Sequence, residues 1–111
     1  MEIIIQSPRI KLSNRIERVI FEKFERFKKV SDRIIRCEVV LKKEKNAKDN
    51  DFVVEAKLAI PGKDLFAKES GSKFEIAAEN VCLDLERQFR KRKVKPAARK
   101  AAVDKIDEEE D

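Results

Sequence analysis

The stretch Arg33-Ile34-Ile35-Arg36-Cys37-Glu38-Val39-Val40-Leu41-Lys42-Lys43-Glu44-Lys45 alternates with a period of two. Ile35, Cys37, Val39 and Leu41 fall on one side, and Arg36, Glu38, Lys42 and Glu44 mostly on the other, as in a strand with one buried and one wet face. A polar segment, Asn46 to Asp51, follows as a turn, and the alternation returns in Phe52, Val54, Ala56, Leu58 and Ile60. Two adjacent antiparallel strands are the expected result. Pro61-Gly62 suits the two central positions of a type II turn, where glycine supplies the positive φ, and Asp64 to Ser70 completes a meander before Gly71-Ser72 breaks it.

On either side of this meander the period changes. Upstream, Glu2 to Gln6 is a short β-branched run closed by Ser7-Pro8. Ser13 or Asn14 then caps a helix expected to run to about Lys29, with Leu12, Ile16, Val19, Ile20, Phe24, Phe27 and Val30 on one face and Phe21 pointing away from it. Downstream, Phe74, Ala77, Ala78, Val81, Leu85 and Phe89 share one side of a second helix. That helix is expected to end before Pro96, which disfavours helical geometry at Lys95. The order β-α-β-β-β-α predicts an α+β fold, a four-stranded sheet with two helices packed on one face. Residues 1–95 make one domain, and 96–111 are expected to form a flexible charged tail, acidic at its end.

At 111 residues the chain has room for a single modest core. Charged residues make up 44% of it, yet apolar residues reach 41%, so the composition is that of a folded domain with a densely charged surface. There is no His, Trp or Tyr. Without histidine the commonest general acid/base and metal ligand at neutral pH is missing, and no nucleophile elbow, P-loop or dinucleotide fingerprint is present. Neither enzyme chemistry nor a cofactor or metal site is expected. Cys37 and Cys82 stand among apolar residues and read as small core side chains. The N-terminus lacks a signal-peptide layout and no apolar run is long enough to span a bilayer, so a cytoplasmic, reduced location is expected.

The net charge of +5 hides a strong asymmetry. From Asp104 to Asp111 six carboxylates face Lys105 alone, so residues 1 to 103 carry +10. Between Glu86 and Lys100 eight bases (Arg87, Arg90, Lys91, Arg92, Lys93, Lys95, Arg99, Lys100) stand against one acid. By helical period Arg87, Arg90 and Lys91 lie within about 100° of one another, roughly opposite Leu85 and Phe89. Such density marks a phosphate-binding surface. Arg36, Lys42 and Lys57 are expected on the open face of the sheet, where they would extend it. That face lacks the paired stacking aromatics of an RNA-recognition motif, Phe66 being the one candidate. A double-stranded RNA-binding domain opens its last helix with clustered lysines, whereas here it opens Ser72-Lys73-Phe74-Glu75.

Several segments, taken in order, resemble the short ribosome hibernation-promoting factors and ribosome-associated translation inhibitors. They are Lys23-Phe24, Asp32-Arg33-Ile34, Val39-Val40-Leu41-Lys42 with Glu44-Lys45, and Leu85-Glu86-Arg87-Gln88-Phe89 with Lys91 and Lys93. The resemblance covers about residues 2 to 95. It implies a non-enzymatic factor of stress and stationary phase that binds the small ribosomal subunit and its rRNA near the decoding region, at the subunit interface of the whole ribosome. There it would inhibit translation by blocking the tRNA and mRNA sites. It also implies a monomer off the ribosome, with no membrane or small-molecule partner. Carried across by position, the rRNA contacts are Lys23, Arg26, Arg87, Lys91 and Lys93, to which the charge pattern adds Arg90 and Arg92. Where the family has Asp-Met-Tyr opening its last helix, this chain has Lys73-Phe74-Glu75, with Phe74 in the Met position and no tyrosine. The long members' ribosome-pairing domain is not expected in a chain of this length. The alternative from charge alone is a regulatory module that binds an acidic protein through the second helix.

Overall fold

The computed structural model describes residues 1–45 and 51–98. Its elements are β1 (Glu2–Gln6), α1 (Asn14–Glu25), a 3-10 turn (Arg26–Lys29), β2 (Arg36–Lys43), β3 (Phe52–Ala59), β4 (Leu65–Gly71) and α2 (Phe74–Ala98). The strands form one sheet in the order β1-β2-β3-β4. The meander β2-β3-β4 is antiparallel, with Val39 opposite Ala56 and Ala56 opposite Ala67. β1 runs parallel to β2, with Ile3 beside Cys37 and Ile5 beside Val39, so α1 is the crossover between them. The α+β order and the two-helix layer agree with the sequence pattern.

Each element follows from local chemistry. Ser13 caps α1, its Oγ accepting from the Ile16 backbone N–H at 3.1 Å. Gly62 adopts φ 99° in the β3–β4 turn, the left-handed region a β-carbon disfavours. Gly71 ends β4 beneath the first turn of α2, where a β-carbon would stand 3.0 Å from Ile76 Cγ2 and 3.1 Å from the Ala77 backbone N. Cys37, Val39 and Leu41 of β2, Val54, Ala56 and Leu58 of β3, and Leu65 and Ala67 of β4 are buried under the helices. Ile20, Phe24 and Phe27 cover them from α1 and its 3-10 extension, and Phe74, Ala77, Ala78, Val81, Cys82, Leu85 and Phe89 from α2. Phe52 meets Phe74 edge to face at 4.8 Å.

The structure corrects three expectations. The first α-helix stops at Glu25 and tightens into the 3-10 turn, which carries Phe27 into the core. Ile35 is 56% exposed and Ile34 buried instead, because β2 begins at Arg36 and the period-two rule has no force in the bend before it. α2 continues through Pro96 to Ala98. Proline removes one backbone donor and makes helical geometry costly at Lys95, a penalty that falls here within the last turn of a 25-residue helix. The turn expected at Asn46 to Asp51 lies, but for Asp51, outside the described residues, as does the tail from 99 onward.

Phe24, fully buried, tests the core: Phe24→Ala should cost about 3–5 kcal/mol in urea unfolding. Gly62→Ala, at a φ that a β-carbon disfavours, should cost about 1 kcal/mol in the same assay.

Candidate nucleic-acid interface

α2 presents two faces with different jobs. Leu85 and Phe89 are buried against the sheet, while Arg87, Arg90 and Lys91 are exposed on the outward side. The helix is tied down just beside them. Gln88 Nε2 donates to the Phe66 backbone carbonyl at 2.9 Å and to Asp84 Oδ1 at 3.1 Å, linking α2 to the edge strand β4. Arg87 Nη2 pairs with Asp84 Oδ1 at 3.2 Å along the helix. Among the described residues no carboxylate lies within ion-pairing distance of Arg90 or Lys91. Arg92 and Lys93 continue along α2, but their side chains lie outside what is described.

Lys23 and Arg26 sit elsewhere, in the seam between α1 and α2. Lys23 Nζ lies 3.3 Å from Glu79 Oε1, and Arg26 Nη1 lies 3.3 Å from Glu79 Oε2. Arg26 Nε stands 3.3 Å from Glu86 Oε2, close enough for charge attraction but not aligned as a hydrogen bond, so Nε and Nη2 are buried without hydrogen-bond partners. Burial opposes the charge on Glu79. Hydrogen bonds from Lys23 and Arg26, together with their charges, outweigh it and hold the carboxyl below the usual range. The seam is a neutral cluster of two cations and two carboxylates. Glu79 and Glu86 were missed as site residues; their spacing of two helical turns, matched by Lys23 and Arg26 one turn apart, was the available signal.

The open face of the sheet is also neutralised. Arg36 Nε pairs with Glu38 Oε2 at 2.6 Å and Lys42 Nζ with Glu55 Oε2 at 2.8 Å. Lys57 reaches Glu38 at 3.8 Å and Asp64 at 3.9 Å, and Lys68 reaches Glu55 at 3.8 Å. The hydrogen bond from Arg36 lowers the Glu38 carboxyl, and the one to Glu55 raises the Lys42 ammonium. This lattice does not extend the basic surface as expected, since each cation faces an acid. Phe66, 53% exposed, borders a shallow groove with Val40 and Lys57. Phe21 lies on the helix surface with Lys28 Nζ 5.9 Å from its ring centre.

No group of three or more potential metal ligands gathers among the described residues. Burial pushes both the Cys37 and the Cys82 thiols up to about 12, so both are protonated core groups at neutral pH. No helix among the described residues is long and apolar enough to cross a membrane.

A two-helix layer on a mixed four-stranded sheet, with cations concentrated on one helix end, defines a small α+β binding domain. Residues 3–97 match the family described as Sigma 54 modulation protein / S30EA ribosomal protein, and the chain belongs to that family, which is ribosome-associated and not enzymatic. Two solved structures share the fold. A ribosomal subunit interface protein from Coxiella burnetii superposes with a TM-score of 0.72 at 18% identity, covering 85% of this chain and 99% of that one. The N-terminal domain of Protein Y from Thermus thermophilus gives 0.66 at 20%, covering 82% and 98%. No curated protein sequence matches the chain.

Glu79→Gln keeps the shape of the seam and removes the charge that holds Lys23 and Arg26. It should cost about 1 kcal/mol near neutral pH, the upper end for a partly exposed cluster, or roughly 4 °C in Tm by thermal unfolding. The sign with pH follows from the lowered carboxyl. Its contribution is complete above the unfolded-state value and disappears as pH falls through the folded one, so the parent and the variant should converge in acid.

Proposed function

We propose that this protein is a ribosome hibernation factor that enters the small subunit near the decoding region, contacts rRNA, and inhibits translation by occupying the tRNA and mRNA sites. The observation that carries the reading is membership of a ribosome-associated family over residues 3–97 combined with the exposed cations of α2. The Coxiella burnetii relative, a ribosomal subunit interface protein, supports a location at that interface for this chain too. Off the ribosome it is a cytoplasmic monomer, produced in stress and stationary phase, that uses no cofactor or small-molecule substrate. Residues 1–95 form the binding domain, α2 runs on to Ala98, and a charged tail follows.

In this mechanism affinity comes from phosphate contacts and specificity from shape. Arg87, Arg90 and Lys91 meet the rRNA backbone, and Arg92 and Lys93 carry the surface along the helix. Lys23 and Arg26 flank it from the seam, where Glu79 and Glu86 already hold them. The rigid sheet and helix pair fill the channel that tRNA and mRNA would use.

A second reading has its own observation. Leu83 and Ile76 are exposed by 52% and 44%, and by helical period they line the side of α2 that carries Arg87. An apolar stripe that runs into a basic one suits an acidic amphipathic protein. Sedimentation through a sucrose gradient separates the two: stoichiometric association with small subunits or whole ribosomes supports the first, and its absence the second. Replacing Arg87, Arg90 and Lys91 together by Ala should weaken ribosome binding. It should also flatten the log-log salt dependence by about 2–3 units, as expected when that many phosphate contacts are lost. Full-strength binding by the triple variant at matched salt would remove the assignment of this surface.

A further inference from the structure

Several clusters of described cations are already paired, while other cations, Arg90 and Lys91 among them, have no carboxylate in range among the described residues. The seam cations are held by Glu79 and Glu86, and the sheet cations by Glu38, Glu55 and Asp64. The outward side of α2 is different. Arg87 has Asp84, and Arg90 and Lys91 have no carboxylate in range among the described residues. The same chain carries a concentrated counter-charge a short way downstream, where Asp107 to Asp111 are five consecutive acids.

Reach permits the two to meet. Along α2 the rise from Lys91 to Ala98 is about 10 Å and from Arg87 about 16 Å. The nine residues from Ala98 to Asp107 span up to about 30 Å. A tether of this length gives the acidic run an effective concentration in the millimolar range at the basic surface. The acidic run of a second copy at micromolar protein is about a thousandfold more dilute, so the chain's own segment has the advantage. Each exposed ion pair is weak and screened by salt, hence the contact yields to a denser polyanion.

We propose that Asp107 to Asp111 occupy the surface formed by Arg87, Arg90 and Lys91 in the free protein, as an internal stand-in for phosphate that RNA must displace. The proposal rests on the reading of that surface as a phosphate-binding one and adds its regulation. The acidic run raises the threshold for scattered RNA, which offers only charge. A site that also fits the shape of the domain has further contacts with which to displace it.

The test uses the full-length chain beside a full-length variant with Asp107→Asn, Glu108→Gln, Glu109→Gln, Glu110→Gln and Asp111→Asn, which leaves the folded core untouched. Amide shifts are compared by NMR at 50 mM salt, and affinity is measured for a 20-nucleotide RNA of mixed sequence. Shift differences centred on residues 87–91, independent of protein concentration and lost at 0.5 M salt, are expected. The neutral variant should bind the RNA about three- to tenfold more tightly. Unchanged amide shifts overturn the proposal even if RNA binding tightens, because added net charge alone would explain the gain. Shift differences that grow with protein concentration also overturn it, since they assign the contact to a second copy. Equal RNA affinity of the two chains removes the regulatory role. Shift differences at 87–91 with RNA binding by neither chain sustain the contact and sink the phosphate reading instead.

Discussion

The packing of α2 against the sheet through Phe74, Ala77, Ala78, Val81, Cys82, Leu85 and Phe89 is the contact on which the rest of the structure depends. A sheet whose strands alternate must bury one face, and the described core of this chain offers that face two helices. α1 alone contributes few fully buried positions, Ile20 and Phe24, with Phe27 just beyond it. The long helix supplies the remainder. Small residues at Ala77 and Ala78, and the absence of a side chain at Gly71, let its first turns approach the strands closely. Gln88 then fixes its middle to the edge strand. The described anchoring of α2 lies between Phe74 and Phe89, and Arg90 and Lys91 just beyond it are exposed.

Electrostatics is organised around the same helix. On its inner flank Glu79 and Glu86 face α1 and absorb Lys23 and Arg26. At its edge toward β4, Asp84 meets Arg87 and Gln88, and crowds Glu69. Burial, and then the Asp84 charge and hydrogen bond, raise the Glu69 carboxyl. This group has the opposite linkage to Glu79. A carboxyl with a raised value favours the folded state once protonated and burdens it above that range, so the two acids oppose each other in the pH dependence of stability.

Much of the fold was legible in the sequence, because burial on one face leaves a periodic trace. The alternation in residues 36–43 and 52–59, the helical stripe from Phe74 to Phe89, the Ser13 cap and the positive φ of Gly62 all appear as local chemistry predicts. The errors sit where that chemistry stops deciding. Ile35 obeys the alternation in sequence but precedes the strand. Pro96 imposes a cost that the last turn of a long helix absorbs. The parallel placement of β1 beside β2 needs the α1 crossover, which no single segment reveals. Of the candidate interface, the exposed cations Arg87, Arg90 and Lys91 were legible from charge density. Glu79 and Glu86, which pair with Lys23 and Arg26, were not, because an ion pair between two helices depends on a tertiary crossing that neither helix encodes alone.

That missed pairing changes what the net charge means. A domain of +10 over its first 103 residues would attract any polyanion if the charge were evenly distributed. Instead, the pairs of the seam and the sheet lattice cancel most of the local field around Lys23, Arg26, Arg36, Lys42 and Lys57. On the outward side of α2, by contrast, Arg87, Arg90 and Lys91 have only Asp84 as a counter-charge among the described residues. Screening limits the range of that patch to about 8–10 Å at ordinary ionic strength. A neutral sheet face and a paired seam also tolerate burial in a confined, polyanionic channel better than bare cations or bare acids would, since neither brings an unpaired charge out of water. On the function proposed above, charge pairing over much of the body would serve docking by shape, while the exposed cations of α2 would supply the attraction.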